Sequence, residues 1–137
     1  KRLFDVAEHE RLPASAYDQR SGDAVYDILR RKAERAIAAG YSVVVDAVHQ
    51  RAEEREALRQ LAARLGVAFD GLWLDAPLRD LVDRVERRTD DASDARADTV
   101  ALQAQRGSGA IDWHRIDAGG DAELVLERAR LALGARP

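Results

Sequence analysis

The 137-residue sequence contains no cysteine. Disulfides and thiolate chemistry are therefore excluded, and the absence is compatible with a reducing, cytoplasmic setting. No hydrophobic run approaches the ~20 residues that a membrane span needs, and no signal-peptide pattern opens the chain. No membrane partner is expected. Methionine is absent too, and Lys1 is a bulky second residue for routine removal of an initiator, so the gene product is expected to begin upstream of Lys1. Lysine is confined to Lys1 and Lys32, and arginine supplies the remaining cations. Arginine suits bidentate contacts to phosphate and carboxylate, although an Ala- and Arg-rich composition accounts for its abundance equally well. A formal charge of -3 provides no net field that would draw the chain to nucleic acid. Also missing is any phosphate loop of the pattern G-x-x-x-x-G-K-S/T.

What is present is an alternation of helical and strand-like patterns, of a length that fits one domain, residues 1–137. Pro13 breaks the opening segment, and Asp18 or Ser21 can cap the next helix. Val25, Ile28, Leu29, Ala33, Ala36 and Ile37 recur at helical spacing before Gly40. Tyr41-Ser42-Val43-Val44-Val45-Asp46 then reads as a strand covered on both faces, because its apolar run is continuous and not alternating. A helix is expected over 51–65, a strand over 69–75 and a helix after Pro77. A polar loop follows at Thr89–Asp94, then a helix over about 95–106, a turn at Gly107-Ser108-Gly109, a strand over 113–117 and a closing helix over 124–133. Strands alternating with helices imply parallel pairing through right-handed crossovers. The expected fold is α/β, a three-layer open parallel sheet with helices on both faces.

Acids at the carboxyl ends of such strands are candidates for chemistry. Asp46 is the foremost, since a carboxylate there can orient Mg²⁺-bound water or accept a hydroxyl proton; its alternative role is to cap a turn. Asp75 holds the same position, but with Ala76-Pro77 behind it an N-cap role is expected. Arg84, Arg87 and Arg88 cluster at a helix end and can stabilise charge in transfer, or can pair with Asp80, Asp83 and Glu86 on a solvated face. Arg106 can stack on a base or touch a phosphate, though an exposed arginine needs no such role. His49 is a candidate substrate contact. His9, His49 and His114 share no metal-ligand spacing. Trp73 and Trp113 fit core packing better than base stacking. Gly107-Ser108-Gly109 is read as a plain turn, because it lacks a lysine and precedes a strand.

The segments SVVVDA, GLWLDAP, RRTDDASDA and IDWHRIDA, in this order and spacing, resemble the later part of P-loop kinases. The nearest likeness is to the small kinase-like ATPase domains of the polynucleotide-kinase, zeta-toxin and gluconate-kinase group, often fused to aminoglycoside-phosphotransferase-like domains. It covers essentially all 137 residues. The resemblance implies ATP and Mg²⁺ as cofactors. It places Asp46 near the metal and the transferred phosphate, and Arg84, Arg87 and Arg88 at the start of a mobile, phosphate-contacting lid. It places Asp117 in the loop that approaches the adenine.

The group's phosphate loop and first two strands have no counterpart after Lys1. In that group the first strand lies between the third and the fourth, so here the strands at Tyr41 and Phe69 would lose a shared neighbour. Each backbone group left unpaired and buried costs about 1–3 kcal/mol. An upstream segment or a second chain is therefore expected to complete the sheet, unless the sheet rearranges. The expected function is ATP-dependent phosphoryl transfer to a hydroxyl of a small molecule or a nucleic-acid end, the 137-residue chain alone being inactive. The alternatives are a non-catalytic α/β interaction module and a nucleoside-triphosphate hydrolase without an acceptor.

Overall fold

The computed structural model describes residues 19–87 and 107–134, with side chains from residue 22 onward. The first helix, α1, spans Gln19–Ala38. It therefore includes Ser21, which is not its cap, while Asp18 lies outside the described residues. Ala33 is its buried point. Helix α2 spans Ala52–Leu65. At its start the Arg51 backbone N–H donates to Glu54 Oε2 at 3.2 Å. At its end Gly66 takes the left-handed conformation, φ 66°, that terminates helices cheaply only at glycine. Leu58, Leu61 and Ala62 form its buried stripe.

Two ion pairs fix how these helices lie. Arg51 pairs with Asp23 near the two N-termini, and Arg64 Nη1 meets Glu34 Oε1 at 2.7 Å near the two C-termini. The helices thus run side by side in the same direction. A chain that leaves one such helix at its end and enters the next at its beginning must return along their length. Residues 39–51 make that return, and at about 3.3 Å per residue they have ample reach for the roughly 21 Å length of α2.

This return contains the expected strand at Tyr41–Asp46, and here the structure corrects the sequence reading. Residues 41–46 have no strand structure. A strand exists only through its ladder partners, and the two-stranded sheet of the described residues does not reach this segment. Val44 is 94% exposed, and Tyr41 also faces solvent. The Val44 side of this β-branched run is left uncovered, while Val43 and Val45 are half-buried.

The sheet itself consists of β1, Leu72–Asp75, and β2, His114–Asp117. They pair in parallel, with Trp73 opposite Arg115 and Asp75 opposite Asp117. Both strands are shorter than their apolar patterns suggest, beginning three residues and one residue later. Between them lies α3, Leu78–Glu86, entered through Pro77. Asp75 does not cap α3: the N-cap is Pro77, with no side-chain bond. The Asp75 carboxylate meets Arg115 Nη1 at 3.3 Å. The closing helix, α4, spans Ala122–Gly134, and Asp121 Oδ1 accepts the Leu124 N–H at 2.9 Å at its start. The expected helix over 95–106 lies outside the described residues.

Aromatic side chains join the helical pair to the sheet. The Trp113 ring packs edge-on against Phe69 and His49, at centroid distances of 5.9 and 5.5 Å. Gly71 sits beneath it; a Cβ there would lie 2.2 Å from Trp113 Cγ. Glycine is required at this position by the closeness of the indole. Both tryptophans serve packing, Trp73 lying under the Arg55 guanidinium at 5.6 Å.

Candidate functional site

The sequence-predicted residues fall in two places, and a buried arginine organises the first. Arg55 lies one helical turn before Leu58 and is 2% exposed. Its Nη1 donates to the His49 and Gln50 carbonyls at 2.8 Å each. Its Nη2 donates to the carbonyls of Ser108 and Ala110 at 2.9 and 3.0 Å. Gln50 Nε2 adds a bond to the Gly107 carbonyl at 3.1 Å. The segment after Asp46 and the turn at 107–110 are thereby fastened to one cation. Gly107 and Gly109 have φ of 66° and 64°, which lets the turn present its carbonyls to the guanidinium.

Within this arrangement Asp46 is exposed, and no hydrogen bond or ion pair holds its carboxylate among the described residues. His49 is 3% exposed. It is not solvent-facing: its ring lies between Tyr26 and Trp113, at 5.2 and 5.5 Å. Its φ is 45°, a left-handed conformation uncommon outside glycine. Its backbone N–H donates to the Tyr26 hydroxyl at 2.9 Å, whereas neither ring nitrogen has a partner of hydrogen-bond geometry. Burial pushes the His49 pKa down, and Glu54, the Val45 carbonyl and Asp46 oppose the shift. Burial likewise pushes the Tyr26 hydroxyl up. At the edge of this region Arg59 pairs with Asp112 and holds its carboxyl below the usual range.

The second place is the loop at the carboxyl end of β2. Asp117 Oδ1 accepts the Gly119 N–H at 2.8 Å, and its Oδ2 meets Arg128 Nη1 at 3.1 Å. Arg84 reaches the same loop, donating from Nη2 to the carbonyls of Ala118 and Gly120 at 2.6 and 3.0 Å. Arg84 and Asp117 are thus brought together. Arg87 is the exposed C-cap of α3, its N–H bonded to the Asp83 carbonyl at 3.1 Å. Arg88 and Arg106 lie outside the described residues.

Among the described residues no three His, Cys, Asp or Glu side chains cluster so as to hold a metal ion. A lone carboxylate such as Asp46 suits Mg²⁺ in one way, with waters and substrate phosphates completing the octahedron. No helix among the described residues is long and apolar enough to cross a membrane.

Comparison with known proteins supplies the context for this geometry. A family model described as "AAA domain" matches residues 1–109. The chain belongs to that family. It is a P-loop kinase-like AAA domain, with the α/β fold of P-loop NTPases and the nucleotide-binding character of that class. Such domains generally bind ATP and Mg²⁺. Uncharacterized proteins of two strains of Mycobacterium tuberculosis and of Mycobacterium bovis are 31% identical to it over 121 residues. The alignment covers 86% of this chain and 24% of each relative. The AAA domain thus spans about a quarter of the length of the curated relatives it matches. No solved structure gives a significant match. Asp46, His49, Arg55 and Arg84 fall inside the matched residues, whereas Asp117 and Arg128 lie beyond them.

Arg55, Arg128, Tyr26 and Gly71 were not legible as special from the sequence. Arg55 carried a signal: it continues the Leu58 and Ala62 stripe by one turn, and a cation in an apolar stripe must find polar partners. Arg128 carried none.

Proposed function

We propose that this AAA domain is the later portion of an ATP-dependent phosphotransferase acting on a hydroxyl of a small molecule or a nucleic-acid end. The observation that carries the reading is the family match across residues 1–109, which contains an exposed, uncommitted carboxylate, Asp46, just after the Val43-Val44-Val45 run. In such a reaction the acceptor oxygen bonds to the γ-phosphorus, the bond to the β–γ bridging oxygen breaks, and the hydroxyl proton needs an acceptor. Asp46 would take that proton or orient a Mg²⁺-bound water. Mg²⁺, when bound, would neutralise charge on the phosphates. Arg87 and Arg88 would face charge developing in transfer. Arg106 and the 117–120 loop would contact the nucleotide. His49 would shape the acceptor side from beneath the loop after Asp46.

A three-layer sheet belongs to the same proposal. Val44 is 94% exposed and the segment 41–46 has no ladder. A strand laid between this segment and β1 would supply the ladder, and a helix following that strand would cover Val44, full burial of one valine side chain being worth roughly 1.5–3 kcal/mol. That strand, with the phosphate loop that would follow it, would come from an upstream segment or a second chain. Residues 1–137 alone would bind ATP feebly.

The test uses the full-length protein with ATP, Mg²⁺ and a panel of hydroxyl acceptors. Acceptor-dependent transfer of phosphate is expected, and Asp46→Asn should lower kcat by about 100-fold, in the range general acid–base groups supply. Its melting temperature should not move, since the Asp46 side chain is exposed. Phosphate release that ignores every acceptor would replace the kinase with a hydrolase. Absence of turnover together with absence of ATP binding would favour an interaction module.

A further inference from the structure

We propose that Tyr26 is a positioning residue for Asp46, acting through the His49 N–H. This rests on the role proposed for Asp46 above. An exposed carboxylate without a side-chain partner takes its position from the backbone on either side of it. Upstream, the Val43-Val44-Val45 run has no ladder. The Tyr41 N–H reaches the Ala36 carbonyl at 3.1 Å, and from there to Val48 no N–H donates a hydrogen bond among the described residues. The next to do so is that of His49, to the Tyr26 hydroxyl at 2.9 Å. Tyr26 therefore makes the first fixed point of the main chain after Asp46.

The hydroxyl is held so that it can serve. Its own hydrogen-bond partner is the Glu54 carboxylate, which takes its proton and leaves a lone pair for the His49 N–H. Glu54 is fixed in turn: its side chain is 8% exposed, and its oxygens accept the Arg51 N–H and Nε at 3.2 and 2.6 Å. Arg51 also pairs with Asp23, so the acceptor is tied to the starts of both α1 and α2.

His49 is a residue that needs such an anchor. Its φ of 45° is left-handed without being glycine, and its buried ring nitrogens have no partner of hydrogen-bond geometry. The neighbouring Trp113 Nε1 is likewise buried and unpartnered. Each of these is unfavourable, and a residue so placed persists only where its surroundings over-determine it. The Tyr26 hydroxyl, the Tyr26 ring at 5.2 Å and the Arg55 bond to the His49 carbonyl do so. Without the hydroxyl the strain at His49 can relax back along the chain toward Asp46.

The experiment measures ADP formed from ATP and Mg²⁺, across the panel of hydroxyl acceptors, by the full-length protein, Tyr26→Phe, Asp46→Asn and the double variant. Phenylalanine keeps the ring against His49 and removes only the hydroxyl. Tyr26→Phe should lower kcat about tenfold, as misplacing a reacting group by part of an ångström does, and leave KM for ATP within about twofold. In the Asp46→Asn background the same change should alter kcat by less than about twofold, because the group it positions is gone. Amide hydrogen exchange at His49 should quicken in Tyr26→Phe while Leu58 and Leu61 of α2 keep their rates, which separates a loosened loop from an unfolded domain. An equal loss of kcat in both backgrounds would make Tyr26 merely structural and overturn the proposal. Unchanged kcat in Tyr26→Phe, or unchanged exchange at His49, would overturn it while leaving the role of Asp46 intact. Full activity of Asp46→Asn, or no ADP from the parent protein, would end the reading of Asp46 and this proposal with it.

Discussion

Replacing Arg55 tests the physical core of this domain directly. Arg55 is 2% exposed and donates to four carbonyls, those of His49, Gln50, Ser108 and Ala110. Hydrogen bonds from a charged donor contribute about 1.5–3 kcal/mol each when counted singly. Four of them would sum to far more than one residue delivers, because burying the guanidinium costs several kcal/mol in return. Arg55→Met recovers that desolvation. The carbonyls of Ala110 and Ser108 lie at exposed and half-exposed residues, where water can replace the donor, whereas that of His49 belongs to a buried residue. The balance is a loss of about 2–4 kcal/mol, typical of removing one side of a buried polar network. Arg55→Lys should fall between, since one ammonium cannot reproduce a planar fork that donates to four carbonyls. Urea unfolding followed by tryptophan fluorescence is the assay. Trp73 and Trp113 are the chain's tryptophans, one under Arg55 and the other against His49. A loss below about 1 kcal/mol, the worth of an ordinary single hydrogen bond, would show that Arg55 does not fasten the two loops.

Gly71→Ala should destabilise the domain by about 1–3 kcal/mol, because the new Cβ would meet the root of the Trp113 indole at 2.2 Å and overpack a junction that cannot yield cheaply. A melting curve would show it, and combining the change with Trp113→Ala, which removes the Cγ and Cδ atoms, should recover part of the loss; strict additivity would refute the clash. His49 predicts a pH dependence. Its folded pKa is pushed below the ordinary 6.5 by burial, with Glu54, the Val45 carbonyl and Asp46 pulling it back and Arg55 adding to the depression. The unfolded chain therefore binds the proton first, so this contribution to stability is complete above about pH 6.5 and declines as the pH falls toward the folded value. Denaturation across pH 5–8 should show that slope, and His49→Phe, which keeps an aromatic ring between Tyr26 and Trp113, should flatten it. An identical slope in both proteins would show that His49 is not the group responsible.

What could be read in the chain depended on whether the local pattern needed a distant partner. Helices α1 and α2 were legible because an amphipathic stripe and a glycine near the end are written within one segment, whereas of the caps read for α1, Ser21 lies inside the helix and Asp18 outside the described residues. Strands β1 and β2 were legible as apolar runs ending in Asp75 and Asp117, and their parallel sense followed from the alternation with helices. The run at Tyr41–Asp46 carried an equally good strand pattern, and it lies in the return between parallel helices. It has no ladder in the described residues, since propensity prepares a backbone for pairing but cannot supply the other strand. The site divided along the same line. Asp46 was visible because an exposed carboxylate just after an apolar run is a local signature. Arg84 was visible as a cation near a helix end, but its partners were not, since the carbonyls it holds lie more than thirty residues away in sequence. The same guanidinium chemistry that binds phosphate also binds a row of carbonyls. Composition cannot tell these uses apart, and the folded chain does so by surrounding the cation with backbone. An arginine-rich sequence therefore overstates its number of ligand contacts, and Arg55, Arg84 and Arg128 are three arginines here whose described donors meet mainly main-chain oxygens.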